Sequence, residues 1–324
     1  MKHKFSMFVL LMTLLVVLAA CGNSKSEEKS AATNEKEGEK TESTVREVTH
    51  AMGTAEIEGK PKRIVTLYQG ATDTILEFGI TPVGVVESWA QQPMYDYLKE
   101  DLKDVKYVGL ETQPNLEEIA ALKPDLIIAT KIRHEEVYEQ LNKIAPTIVN
   151  ETLYDFKDTA KLIGEATEEQ AKADELVKAW EERVADFKGK MEKEKKYPIS
   201  AAVLNYREDH ARIYVTGFAG SILGELGFDG PKDLKGENLE IVKLSDKESI
   251  PQMNADVIFQ FMEDNEAVKK TYEEWTSHPL YKNLDAVKND QVTTVDEITW
   301  NFAGGLQSAN LMLDGLYEHF GLQK

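Results

Sequence analysis

The chain has 324 residues, 29% of them charged, with 57 acidic against 38 basic side chains and a formal charge of −19. So acidic a composition excludes nucleic acid and an anionic membrane face as partners, because both select positive patches. Cys21 is the only cysteine, so the folded part has no internal disulfide and must be stable from its core alone.

The chain starts with Lys2, His3 and Lys4 and continues as an apolar run from Phe5 to Ala20. That run falls short of the roughly 20 residues of a membrane span, and its small residues sit where a signal peptidase cuts, so residues 1–20 read as a secretory signal. Cys21 is either a stray thiol or a lipid acceptor. Leu18-Ala19-Ala20-Cys21 resembles the bacterial lipobox, in which the cysteine sulfur receives a diacylglycerol and becomes the first mature residue. Two or more acyl chains give the stable anchoring that a single chain does not. From Gly22 to about Thr49 the chain is rich in Ser, Glu, Lys and Thr and almost without large apolar residues. It cannot bury enough surface to offset its conformational entropy and reads as a tether over 21–48, on the order of 30 Å in reach.

Beyond it, short β-rich runs alternate with helical periodicity, which predicts an α/β fold with largely parallel sheets. Predicted strands are Ile64–Tyr68, Val83–Val86, Leu126–Thr130 and Thr147–Asn150, with helices at Thr72–Phe78 and Asn115–Leu122. Asn115 supplies a cap ahead of the apolar face Leu116, Ile119 and Leu122, and Pro124 stops that helix. A helix over 166–196 follows, with Leu176, Val177, Trp180, Val184, Phe187 and Met191 spaced by three and four. It is a rod of roughly 40 Å that links two lobes, 49–165 and 197–324. In the second lobe the predicted strands are Ile199–Tyr206, Arg212–Gly217, Ile241–Leu244, Val257–Phe261 and Val292–Val295. Predicted helices lie near Ser221–Leu226, Ala267–Trp275 and Phe302–Phe320. Ligands of such sheets bind at the carboxyl ends of strands, so the cleft between lobes is the expected site.

An enzyme reading finds no support. The chain has no Gly-x-x-x-x-Gly-Lys-Ser/Thr, Gly-x-Ser-x-Gly, His-Glu-x-x-His or Cys-x-x-Cys motif, and nothing orders His134, Asp73 and the many glutamates into a catalytic set. Direct metal binding needs clustered His, Cys or carboxylates, or tyrosinates with His for bare ferric ion, whereas the six histidines are dispersed and no Tyr-Tyr pair occurs. A ligand that brings its own oxygen donors removes that need and asks only for aromatic walls and a few cations. The strand ends carry such groups: Trp89; Lys131, Arg133 and His134; Tyr206 and Arg207; Arg212 and Tyr214; Trp300 and Asn301. Singly, each has an ordinary explanation as a solvated cation or a packing aromatic.

Four stretches carry a resemblance: Gly59-Lys60-Pro61-Lys62-Arg63-Ile64-Val65; Gly79-Ile80-Thr81-Pro82-Val83-Gly84-Val85; Pro114-Asn115-Leu116-Glu117-Glu118-Ile119 continuing to Leu122-Lys123-Pro124-Asp125-Leu126-Ile127-Ile128; and Leu141-Asn142-Lys143-Ile144-Ala145-Pro146-Thr147. Together they resemble the cobalamin- and siderophore-type substrate-binding proteins of ABC importers, the last looking like the ferric-siderophore branch. The resemblance runs from about Val45 to the end, specific in the first lobe and looser in the second. It implies a class III periplasmic-binding-protein fold of two Rossmann-like lobes joined by one long rigid helix, with no catalysis and no cofactor. The ligand it implies is a ferric siderophore that itself holds the iron, delivered to ABC permease subunits by a lipoprotein on the extracytoplasmic face of a cell membrane, of Gram-positive type. Permease docking falls by motif position to Glu117 and Glu225. Arg133-His134 is common in iron-siderophore members, and Arg207 lies near where hydroxamate binders place an arginine. A ferric hydroxamate or citrate-hydroxamate such as schizokinen is therefore expected. A catecholate siderophore, haem and cobalamin are the alternatives.

Overall fold

The computed structural model describes residues 45–234 and 239–324. The expected signal segment, Cys21 and the tether up to Thr44 lie outside the described residues. The tether was expected to reach about Thr49, but Val45–Thr49 is strand. β1 (Val45–His50) pairs antiparallel with β2 (Gly53–Glu58). Only Val48 of β1 is fully buried, packing with Ala55 and Ile57 of β2. A strand wetted on one face has a polar average composition, which is why it reads as tether.

The first lobe is built on a six-stranded sheet of β3 (Ile64–Thr66), β4 (Gly84–Glu87), β5 (Lys106–Leu110), β6 (Gln113–Pro114), β7 (Leu126–Thr130) and β8 (Thr147–Asn150), in the order β6-β5-β4-β3-β7-β8. All neighbours are parallel except β5 and β6. β3, β7 and β8 are buried at every residue, as apolar runs covered on both faces should be. Its helices are α1 (Gln69–Leu76), α2 (Leu116–Ala121), α3 (Lys131–His134), α4 (Tyr138–Asn142) and α5 (Phe156–Thr167). Asn115 caps α2 as expected, its Oδ1 accepting from the N–H groups of Glu117 and Glu118.

The long helix departs from expectation at its start. α5 ends at Thr167, Glu168 turns into the left-handed region at φ 60°, and α6 runs from Gln170 to Lys193. No glycine or proline marks the break. Five of the six residues expected on the apolar stripe of α6 are buried, Val177, Trp180, Val184, Phe187 and Met191; Leu176 is only partly buried, and Ala173 is buried in addition. Trp180, Val184, Phe187 and Met191 pack with Phe259, Phe261 and Leu313 in the largest core cluster, so α6 lies along the second lobe and does not bridge solvent. Gly164 permits α5 to touch it, since a Cβ there would stand 2.6 Å from that of Ala173.

The second sheet takes β9 (Ala201–Tyr206), β10 (Ala211–Tyr214), β11 (Ile241–Leu244), β12 (Val257–Met262) and β13 (Val292–Thr294) in the order β11-β10-β9-β12-β13. Here the expectation of largely parallel sheets fails in part: β9, β12 and β13 are parallel, but β9-β10-β11 is antiparallel. Residues 207–210 are too short a connection for a parallel crossover. α7 (Gly217–Glu225), α8 (Glu266–Thr276), α9 (Asp285–Lys288) and α10 (Leu306–His319) complete the lobe. Between β13 and α10 a π-helical turn, Ile298–Phe302, belongs to both lobes. Ile298 and Ala303 pack with Val85, Tyr95 and Leu98 of the first, while Trp300 packs on Phe259 of the second, ring centroids 4.7 Å apart. No helix among the described residues is long and apolar enough to cross a membrane.

Candidate ligand-binding site

A cavity of about 340 Å³ opens between the lobes, lined from the first by residues following β3, β4, β5, β7 and β8, and from the second by residues following β9, β10 and β13. Volume alone does not choose it, since grooves of about 400 and 430 Å³ lie elsewhere. What distinguishes it is the convergence of Trp89, Tyr154, Tyr214 and Trp300 with two arginines, Arg133 and Arg207, from opposite lobes.

The first wall is organised by a residue that sequence reasoning missed. Glu111, only 4% exposed, follows β5. Its carboxylate accepts from the Gln69 N–H at the start of α1 and from Arg133 Nε, both at 3.2 Å, and the Arg133 guanidinium lies 5.8 Å from the centre of the Trp89 ring. Burial pushes the Glu111 carboxyl above its ordinary range, against the Gln69 N–H and the Arg133 charge. A carboxylate so placed fixes the arginine's direction while leaving its side chain 34% exposed.

The second wall is set by packing. Trp300 stands on Phe259 and Tyr214 on Phe261, with centroids 4.7 and 5.6 Å apart. Arg207 has no hydrogen-bonded side-chain partner among the described residues. It acts electrostatically on Glu297, a carboxyl that burial raises and that the Arg207 charge and the Asn301 side chain hold down.

Six expected residues therefore meet in the cleft: Trp89, Arg133, Arg207, Tyr214, Trp300 and Asn301. The other four lie outside its lining. Lys131 Nζ pairs with Glu151 at 2.9 Å. His134 is 1% exposed; its Nδ1 accepts from the Thr130 N–H at 3.1 Å and its Nε2 donates to the Glu111 carbonyl at 2.9 Å. Burial lowers its pKa to about 4, so it is a neutral strut beneath Glu111. Tyr206 is fully buried on the far face of β9, with Ile258 and Trp275. Arg212 Nε donates to His210 Nε2 at 2.9 Å. Glu117 is exposed in the first turn of α2, while both oxygens of Glu225 accept from Lys157 Nζ at 2.9 Å. Among the described residues no group of three or more His, Cys, Asp or Glu is placed to hold a metal ion.

A family described as periplasmic binding protein matches residues 64–299. The chain is 42% identical to the probable siderophore-binding lipoprotein YfiY of Bacillus subtilis, over 98% of each chain. It is also 42% identical to the achromobactin-binding periplasmic protein of Dickeya dadantii, over 81% of this chain and 87% of that one. The crystal structure of Staphylococcus aureus SirA complexed with staphyloferrin B superposes with a TM-score of 0.82 at 51% identity, covering 86% of this chain and 99% of that one.

Proposed function

The chain belongs to the periplasmic binding protein family, and we propose that it captures an anionic ferric siderophore outside the cytoplasm and delivers it to the permease of an ABC importer. The observation that carries this reading is one arginine from each lobe, Arg133 and Arg207, facing the same aromatic-lined cavity. Two cations in one aromatic-lined cavity complement a negatively charged chelate whose own oxygens already hold the iron. Relatives named for siderophore and achromobactin binding, and the 51% identical structure holding staphyloferrin B, support the same class. They also favour ferric staphyloferrin B as the first ligand to test, ahead of the hydroxamate or schizokinen-like ligand that the sequence resemblance suggests.

Delivery uses Glu117 and Glu225 as the two docking carboxylates, one on each lobe, with Lys157 released from Glu225 on docking. Cys21 carries the lipid that holds the chain at the membrane. Fluorescence titration of the whole folded chain with ferric staphyloferrin B, achromobactin, ferric citrate, schizokinen, a ferric catecholate, haem and cobalamin tests the ligand class. Saturable, sub-micromolar binding of at least one ferric siderophore is expected, about −8 kcal/mol or better; saturation by cobalamin or haem alone would sink the reading. In cells, charge reversal at Glu117 and Glu225 should abolish ferric uptake with ligand affinity intact, and Cys21→Ser should shed the chain from the membrane.

A further inference from the structure

Asp73, in the middle of α1, is completely buried and takes no part in lining the cavity. Two of its three donors lie in the other lobe. Oδ1 accepts from the Gln307 N–H at 2.7 Å, and Oδ2 accepts from the Ser308 N–H at 2.9 Å and from the Tyr97 hydroxyl at 2.6 Å. Beside it, Thr74 Oγ1 accepts from the Leu306 N–H at 3.1 Å, and Gln307 Nε2 donates to the Asp73 carbonyl at 3.1 Å. The first three N–H groups of α10, which no helix satisfies internally, are thus satisfied by side chains of α1 across the lobe boundary.

The residue in the cap position, Gly305, brings no side chain to do this, and it has no room for one: a Cβ there would stand 2.3 Å from Asp73 Oδ1. The backbones also meet closely, since a Cβ on Gly70 would stand 2.8 Å from the Gly304 carbonyl oxygen. Burial raises the Asp73 carboxyl to about 6 against the donors that hold it down, so it is an anion at neutral pH. The N-terminus of α10 supplies the positive end of a helix dipole to it.

We propose that Asp73 is a positioning residue for ligand capture: by tying the start of α10 to α1 it fixes where Trp300, Asn301 and Gly304 stand across the cleft from Gln69 and Gly70. The segment it ties already straddles both lobes through Ile298, Ala303 and Trp300. Opening the cleft at this end would break four hydrogen bonds between lobes and leave a buried carboxylate with the Tyr97 hydroxyl as its one remaining side-chain donor, so the cleft is held preformed at its floor. The link to capture rests on the siderophore reading; the tie itself does not.

The test uses the full folded chain, unmodified and as Asp73→Asn, in two measurements well below the melting temperature. Asp73→Asn keeps the side chain's shape but sets an N–H₂ against donors. Hydrogen exchange of the peptide over 300–308 should speed up about tenfold or more, the loss expected for one charged hydrogen bond, while the β12 core strand stays protected. The ferric siderophore that binds the unmodified chain best should dissociate from the variant about tenfold faster, since affinity changes within one site act mostly on dissociation. Faster exchange with unchanged affinity would leave Asp73 a purely structural cap, and unchanged exchange would overturn the tie itself. If Asp73→Asn does not fold, Thr74→Val removes only the Leu306 bond and is read in the same way. If the unmodified chain binds no ferric chelate, the functional reading fails, while the exchange measurement still decides the tie.

Discussion

The two walls of the cleft hold similar residues by opposite means. In the first, Trp89 is 45% exposed and Arg133 is aimed by a hydrogen-bonded network running through Glu111 to α1 and His134. In the second, Trp300 is 5% exposed and sunk into the largest core cluster, while Arg207 has no hydrogen-bonded side-chain partner among the described residues. A tryptophan on the first wall is free to serve a ligand because little else depends on it; one on the second wall is part of what keeps the lobe folded. For the arginines the dependence reverses. Arg207 acts on the partly buried Glu297 carboxyl only through its charge, whereas Arg133 is hydrogen-bonded to a buried carboxylate even when no ligand is present.

The aromatic contrast predicts the largest effect. Trp300→Ala removes a buried ring from between Phe259 and the cleft and should cost about 3–5 kcal/mol of stability. Trp89→Ala should stay within about 0.5 kcal/mol. Denaturant midpoints measure both, and equal losses would break the distinction between the walls.

The arginines come next. Arg207→Ala should weaken ferric siderophore binding by about 1.5–3 kcal/mol, the range for a charge-assisted hydrogen bond, with the unfolding midpoint almost unchanged. Arg133→Ala should weaken binding and also destabilise the unliganded chain by about 1–3 kcal/mol, because it strands the Glu111 carboxylate, which is 4% exposed. Titration paired with unfolding separates the two. An Arg207→Ala chain that loses as much stability as Arg133→Ala would mean that the second arginine is committed too.

What the sequence revealed of this arrangement follows burial. β7 spans Leu126–Thr130 and β8 spans Thr147–Asn150, as read, because continuous apolar runs between proline-bearing turns leave little freedom. β1 and β5 escaped notice because each has a single fully buried residue, Val48 and Val108. Tyr206 illustrates the limit for side-chain direction: β9 is buried at all six positions, so no alternation tells which face a residue takes. Trp89, Arg133, Arg207 and Trp300 were visible as unusual residues at strand ends. Glu111 was not, because one more glutamate in an acidic chain carries no signal and its arginine lies 22 positions away. Asp73 was visible only as a candidate for catalysis, its partners in α10 being 234 and 235 positions away.

The smallest expected effect concerns the sign of the Glu111 contribution. Burial raises this carboxyl in the folded chain, so between the ordinary carboxylate range and the raised value the folded form binds more protons than the unfolded one. Stability from this group is therefore greatest in acid and falls as pH rises through that window, by at most about 1.4 kcal/mol per pH unit. Glu111→Gln removes the titration while keeping an acceptor for the Gln69 N–H. The stability of the unmodified chain minus that of the variant should accordingly decrease from pH 4 to pH 7 in parallel urea titrations. The opposite slope would mean that Arg133 and the Gln69 N–H outweigh desolvation. Glu111 would then be an ion-pair partner that stabilises the first wall, and the walls would differ less than their packing suggests. Arg133 is one-third exposed, and solvent screening of a pair so placed is the reason to expect burial to win.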